Sequence, residues 1–283
     1  MIVFVFIWVL GANWIAIQRK FYRLQAQESP ASVTGLQLLG AFAFYAFFAL
    51  AVPLLLIFLF KHFLPLNEPS TLSLPTPLLT FIHFGVRLAL FICLIWFFHE
   101  QNPATLKKLW KNKFHHPTRS RFYDFGLGVL AWFLSFPLVS IIAEGIDQLM
   151  KYFFHYEYVA QNAVKFVKLA IDSPTSLILV LLSILVLAPL VEEFLFRGIL
   201  QTYLKKWTGR GWAIAIAAFS FALFHFSTAQ GLANISLIVP LFILGGFLGF
   251  LYERQGSLWA PIGLHATFNL ITALRIILLQ ETV

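Results

Sequence analysis

The sequence predicts an all-α fold, a polytopic membrane helix bundle of about eight transmembrane helices. Three observations predict it. First, 60% of the 283 residues are hydrophobic and only 11% are charged, with a mean hydropathy of +0.82. A soluble domain carries roughly 25% charged residues. Second, the apolar residues fall into runs of about twenty, the length that crosses the hydrocarbon of a bilayer as helix. Third, the connections between those runs alternate between rich and poor in Lys and Arg.

The spans follow in order at roughly 2–17, 36–62, 78–98, 123–146, 175–204, 212–227, 234–252 and 257–279. The first opens "MIVFVFIWVL", with no basic residue before the apolar run and no A-x-A after it. It reads as a retained helix and not as a cleaved signal peptide. The second, fourth and fifth contain Pro53, Pro137 and Pro189, each expected to kink its helix. The third carries Cys93, the single cysteine, which suits apolar packing and excludes an internal disulfide framework. It also carries His83 and Arg87, spaced i,i+4 and expected to pair or snorkel. Glu144 and Asp147 end the fourth span and are expected to be solvated. The fifth is long enough to tilt or to project from the bilayer. The first and sixth are short. On the seventh, Gly245, Gly246 and Gly249 predict a face for close helix packing. Before the eighth, Ser257 in "QGSLWAP" reads as an N-cap.

The odd connections hold Arg19, Lys20 and Arg23; then Lys107, Lys108, Lys111, Lys113, Arg119 and Arg121; then Lys205, Lys206 and Arg210; then Arg254. The even ones are poorer or balanced by acids. Both termini are therefore expected outside and the odd loops in the cytoplasm. The third loop, "KKLWKNKFHHPTRSR", reads as a segment lying on anionic headgroups. Adjacent His115 and His116 alone do not make a metal site. In the fourth loop, Val164, Val167, Ala170 and Ile171 follow helical spacing and predict an amphipathic helix on the outer surface. The net charge of +8 reflects topology, since no basic block is interleaved with stacking aromatics. The 33 phenylalanines suit lipid contact and packing and imply no cofactor. The 99–122 loop divides the chain into N-terminal helices, 1–122, and a C-terminal part, 123–283.

Charges inside spans are costly, roughly 2.5–3.5 kcal/mol each on insertion scales. The C-terminal part nevertheless holds Glu192, Glu193 and Arg197 in the fifth span, His225 in the sixth, and His265 and Asn269 in the eighth. Glu193 and Arg197 are i,i+4 and meet on one face. Glu192 lies about 100° round the helix and points elsewhere. His265 and Asn269 are again i,i+4. Counted from Lys205 and from Trp212, Glu192 and His225 each lie about 20 Å from the cytoplasmic end, and His265 about 12 Å past Ser257. The groups can converge at one depth. A carboxylate, two imidazoles and an amide together fit peptide hydrolysis, which needs an activated water, an oxyanion stabiliser and a proton donor for the leaving amine. A carboxylate in an apolar pocket is a stronger base than one in water. The histidines can orient that water or, with the carboxylate, bind zinc.

The motifs "EEFLFRG", "FALFH", "GGFLGFLYERQGSLWAPIGLH" and "HATFN" resemble those of the CPBP intramembrane protease family, which includes the CAAX prenyl proteases and Abi-type proteins. The pattern is E-E-x-x-x-R, then F-x-x-x-H from Phe221 to His225, then H-x-x-x-N from His265 to Asn269, over about residues 125–280. The resemblance implies that 123–283 is the protease core. It implies catalytic roles for Glu192, His225, His265 and Asn269, with Glu193 and Arg197 in support. It implies an endopeptidase that uses a Glu/His-activated water on a membrane-associated protein or peptide, with a CAAX-type prenylated substrate as one form. It leaves the metal open. A divalent ion such as zinc, if present, would sit on Glu192, His225 and His265, but the chain has no H-E-x-x-H spacing. The expected partners are membrane lipids and the substrate, with no nucleic acid. The expected location is the cell membrane, with the site opening toward the cytoplasm. Two rival readings remain. A non-proteolytic immunity or scaffold protein would share the fold. A proton-coupled transporter would use Glu192 and the histidines as a relay, but should show paired repeats, and none is visible.

Overall fold

In the computed structural model, residues 2–24, 31–63, 75–110, 120–155 and 162–279 are described. The chain is helical in every long apolar run. The helices are α1 (Ile2–Gln18), α2 (Gly35–Ala46), α3 (Val52–Phe63), α4 (Thr76–Gln101), α5 (Pro103–Trp110), α6 (Arg121–Phe154), α7 (Asn162–Ala170), α8 (Pro174–Leu182), α9 (Ala188–Glu193), α10 (Thr202–Leu223), α11 (Ala233–Gln255) and α12 (Trp259–Leu279). Six helical stretches are long and apolar enough to cross a membrane among the described residues. The expected eight differ from these six in two places. The α1 helix is shorter than the others, and Pro174–Leu223 is one continuous stretch of 50 residues. Gly209 bends that stretch, with φ 73° and ψ 176° in a region open only to glycine. The expected 205–211 loop is therefore helix on either side of one residue.

Two of the prolines sit directly behind wide helical turns. A π segment at Phe47–Ala51 precedes Pro53, and another at Ser183–Leu187 precedes Pro189. A proline ring clashes with the carbonyl four residues back and cannot donate to it. Widening the preceding turn is one way a helix absorbs that defect. Pro137 and Pro240 lie inside α6 and α11, which stay helical through them. A third π segment, Phe194–Gln201, follows Glu193 directly.

The core is one apolar cluster that draws on both halves of the chain. Leu90, Leu94 and Phe98 of α4 and Leu109 of α5 join Phe194, Leu195, Phe196, Phe221 and Leu248 in it. Backbone contact is closest where α6 crosses α12. A Cβ at Gly128 would stand 2.0 Å from the Ala260 carbonyl oxygen, and one at Gly263 would stand 2.3 Å from that of Phe125. Of the three glycines expected to pack on α11, two do. A Cβ at Gly245 would meet Ala218 at 2.9 Å and one at Gly249 would meet Gln201 at 2.7 Å, whereas Gly246 faces open space. Gly245 and Gly249 also lend their carbonyls to buried donors, from Arg197 Nη2 at 3.1 Å and Gln201 Nε2 at 3.1 Å.

Several surface expectations change. The fourth-loop helix exists as α7, but Val164, Val167 and Ala170 are buried against Val180 and Ile276, so its apolar stripe faces protein and not lipid. Ser257 lies two residues before α12, and its buried Oγ donates to the buried Asp124 carboxylate at 2.8 Å. Asp147 is paired with Lys151 at 2.6 Å, and Glu144 accepts from Gln148 at 2.8 Å, exposed to solvent. His83 stacks on Phe166, with ring centroids 4.7 Å apart. His115 and His116 lie outside the described residues.

Candidate active site

Glu192 and Glu193 end α9, between two π segments, so the helix carrying both carboxylates is wide above and below them. Glu193 is fully buried and pairs with Arg197, whose Nη1 donates to Oε1 at 3.0 Å. This is the pair that the i,i+4 spacing predicts. Arg197 also lies over the face of Phe221, with Cζ 4.5 Å from the ring centroid, and donates to the Gly245 carbonyl. The guanidinium is thus enclosed by a carboxylate, a carbonyl and a ring face, which offsets the loss of water.

His265 of α12 completes this group in a way that spacing did not reveal. Its Nδ1 donates to the same Glu193 Oε1 at 2.7 Å. The Glu193 oxygen that accepts from Arg197 also accepts from His265, so the imidazole proton is on Nδ1 and the Nε2 lone pair faces away. That Nε2 stands 3.7 Å from Glu192 Oε2. His225 is placed in parallel fashion. The helix α10 ends at Leu223, and His225 lies in the turn beyond it, not inside the span as expected. Its Nδ1 donates to the Phe221 carbonyl at 2.9 Å, across the F-x-x-x-H spacing, and its Nε2 stands 4.0 Å from Glu192 Oε2. The turn itself is clamped by Asn234, whose Nδ2 donates to the Ser227 carbonyl at 2.8 Å and whose Oδ1 accepts from the Ser227 N–H at 2.9 Å.

Three sequence-predicted residues, Glu192, His225 and His265, are therefore brought together around Glu192 Oε2. That oxygen is buried and has no hydrogen-bond partner among the described residues. Both gaps are too long for a direct hydrogen bond and suit one bridging water. Asn269 lies one turn beyond His265, with Nδ2 donating to the Ile184 carbonyl at 2.7 Å. It is thereby tied to the π segment Ser183–Leu187. One amide hydrogen is used there, and the other is left for a ligand.

Glu192, His225 and His265 were also the set nominated for a divalent ion. Histidines held at Nδ1 by an oxygen are oriented as ligating histidines are. Yet among the described residues no group of three or more His, Cys, Asp or Glu is arranged to hold a metal ion. Tetrahedral zinc would bring its ligand atoms to roughly 3.4 Å from one another. The separations of 3.7 and 4.0 Å are wider. As placed, the three groups fit a water better than an ion.

Sequence reasoning named Phe221 only as the start of F-x-x-x-H and did not assign the residues that wall this site. Phe221 serves three groups at once: its carbonyl holds His225, its ring covers Arg197, and its edge meets His265 with centroids 5.7 Å apart. Tyr45 of α2 packs on Phe224, next to His225, at 5.3 Å. Phe98 of α4 packs on Phe194 at 5.3 Å. Gln201 continues the Glu193–Arg197 face at i+4, a signal the spacing did contain.

Residues 174–271 match the family described as Rce1-like, type II CAAX prenyl endopeptidase. A stretch of 85 residues is 33% identical to the uncharacterized protein YpbD of Bacillus subtilis (strain 168), covering 30% of this chain. The chain thus spans 39% of the length of that curated relative. No solved structure matches the chain. The matched segment contains Glu192, Glu193, Arg197, His225, His265 and Asn269, so the resemblance carried by the three motifs holds there: within a multi-pass helical membrane protein, residues 174–271 are similar to the Rce1-like, type II CAAX prenyl endopeptidases.

Proposed function

We propose that the protein is an intramembrane endopeptidase in which Glu192 activates a water held against His225 and His265. The observation that carries this reading is the convergence of both Nε2 atoms on the unpartnered Glu192 Oε2. Glu192 takes a proton from the water as its oxygen bonds to the scissile carbonyl carbon. The second amide hydrogen of Asn269 donates to the oxyanion, and a histidine adds to this only once its Nε2 has taken up a proton. When the C–N bond breaks, the proton held by Glu192 passes to the amine nitrogen, directly or through a histidine. Glu193 and Arg197 act by holding His265 in one tautomer and orientation.

The substrate in this reading is a membrane-associated protein or peptide, with a CAAX-type prenylated chain supported by the family of residues 174–271. Residues 123–283 carry the chemistry, and the helices of 1–122 flank it against membrane lipid. The basic odd connections support a site reached from the cytoplasmic side of the cell membrane. The test is turnover of a farnesyl-cysteine peptide in phosphatidylcholine vesicles. Glu192→Gln should lower it at least about a hundredfold. Near-normal turnover by that variant would remove Glu192 as the base. Proton-coupled transport without cleavage would favour the relay reading instead.

A further inference from the structure

Arg87 is a charge inside a span that the proposed reaction does not use. It sits eleven residues into α4, a helix that runs from Thr76 to Gln101, so it lies near the middle of a span. By helical rise it is roughly 17 Å from one end and 21 Å from the other, too far for the guanidinium to snorkel to water. It is half-buried, and it makes no ion pair or hydrogen bond among the described residues. Its i,i+4 neighbour His83 does not offer a counter-charge, being stacked on Phe166. An uncompensated cation at this depth is expensive and marks a functional group by default.

Its surroundings point to the site. The α4 helix packs against α9, which carries Glu192, and against the π segment Ser183–Leu187, whose Ile184 carbonyl holds Asn269. Phe98, on the same helix, packs on Phe194, two residues beyond Glu192. Tyr45 of α2 lies within electrostatic reach of both Glu192 and Arg87. Tyr45 in turn packs on Phe224 beside His225. Arg87 is on the α4 face that carries the buried Leu90, Leu94 and Phe98, the face turned to the core on which Glu192 lies.

We infer that Arg87, assisted by Tyr45, is a specificity-determining residue that receives the C-terminal carboxylate of the substrate on the leaving side of the scissile bond; this rests on the proteolytic reading above. A guanidinium binds a carboxylate through two parallel hydrogen bonds, and strongly where water is excluded. The terminal carboxylate is the one anion that such a peptide supplies whatever its sequence. Its arrival neutralises Arg87 in the middle of the span. Release of the short anionic product then follows from loss of the rest of the chain.

The experiment compares the farnesyl-cysteine peptide ending in a free carboxylate with the same peptide ending in an amide, in phosphatidylcholine vesicles. The wild-type protein should favour the acid in kcat/KM by about tenfold or more, mainly through KM. In Arg87→Gln that ratio should fall toward one; Arg87→Lys should restore part of it, and Tyr45→Phe should lower it partially. Binding of the two peptides to Glu192→Gln provides an arm that needs no turnover. Preferential binding of the acid, abolished by adding Arg87→Gln, upholds the carboxylate site even if no peptide is cleaved. Equal handling of acid and amide by the wild-type protein, or a preference that survives Arg87→Gln, overturns it. So does a preference that disappears when anionic lipid is added, since Arg87 would then be holding a headgroup.

Discussion

Two carboxylates of this bundle are treated in opposite ways. Glu253 on α11 is saturated with donors. Lys205 Nζ reaches both of its oxygens at 3.0 and 3.1 Å, Gln201 Nε2 donates at 3.1 Å, and Arg210 Nε lies at 3.3 Å. Glu192 on α9 has two histidines near one oxygen and no hydrogen bond on it. Its side chain is 17% exposed, against 1% for Glu253. A carboxylate whose lone pairs are all engaged is a strut. One that is surrounded by partners held slightly too far away is ready to bind something between them. The difference separates a carboxyl with an open oxygen from a structural one better than burial alone does.

Glu193 lies between these extremes, and the largest effect is expected there. In Glu193→Gln, the fully buried Arg197 loses its counter-charge. Breaking a buried pair by removing one partner costs about 3–5 kcal/mol. Thermal unfolding in detergent should drop steeply, with turnover falling as a consequence. A Glu193→Gln protein that is stable yet inactive would move Glu193 from support into the chemistry. Next comes Glu192→Gln, at least about a hundredfold in turnover, or roughly 2.7 kcal/mol in barrier. Its unfolding temperature should be little changed, because no hydrogen bond to the reactive oxygen is lost. Destabilisation comparable to Glu193→Gln would erase the contrast with the saturated carboxylates. Glu253→Gln should be milder, about 1–2 kcal/mol, since Lys205 and Arg210 are partly exposed and can rehydrate. Turnover per folded molecule should not change. The smallest effect is expected from a zinc chelator, which should leave turnover within about twofold because the three groups are spaced for a water. Loss of activity that zinc restores would show that they close onto an ion.

The helices were legible because hydropathy and the length of the runs settle them, and most boundaries fell within a few residues of expectation; α6 runs on to Phe154, eight residues past the expected end of the fourth span. The form of the fifth connection and the place of His225 were less legible. Gly209 allows a bend without a loop, and α10 ends two residues before His225, neither of which periodicity reports. The Glu193–Arg197 pair followed from i,i+4 spacing, and the approach of three side chains to one level followed from helical rise. The bond from His265 to Glu193 did not, because it depends on how α12 is rotated against α9. The fate of the α7 stripe was equally hidden. Apolar residues at helical spacing look the same whether lipid or protein covers them.

The crossing of α6 and α12 sets a limit on how this site can vary. His265 lies two residues beyond Gly263, where α12 meets the α6 backbone with no room for a methyl group. Any sliding or rotation of α12 would move the imidazole and break that contact together. One side of the site is thus welded, and its sequence has little freedom. The opposite side, α2 and α4, meets the site through rings and long side chains, which can be exchanged without disturbing a backbone contact. Attempts to retarget the protein to other peptides should therefore concentrate their diversity on α2 and α4 and leave the α6–α12 seam untouched.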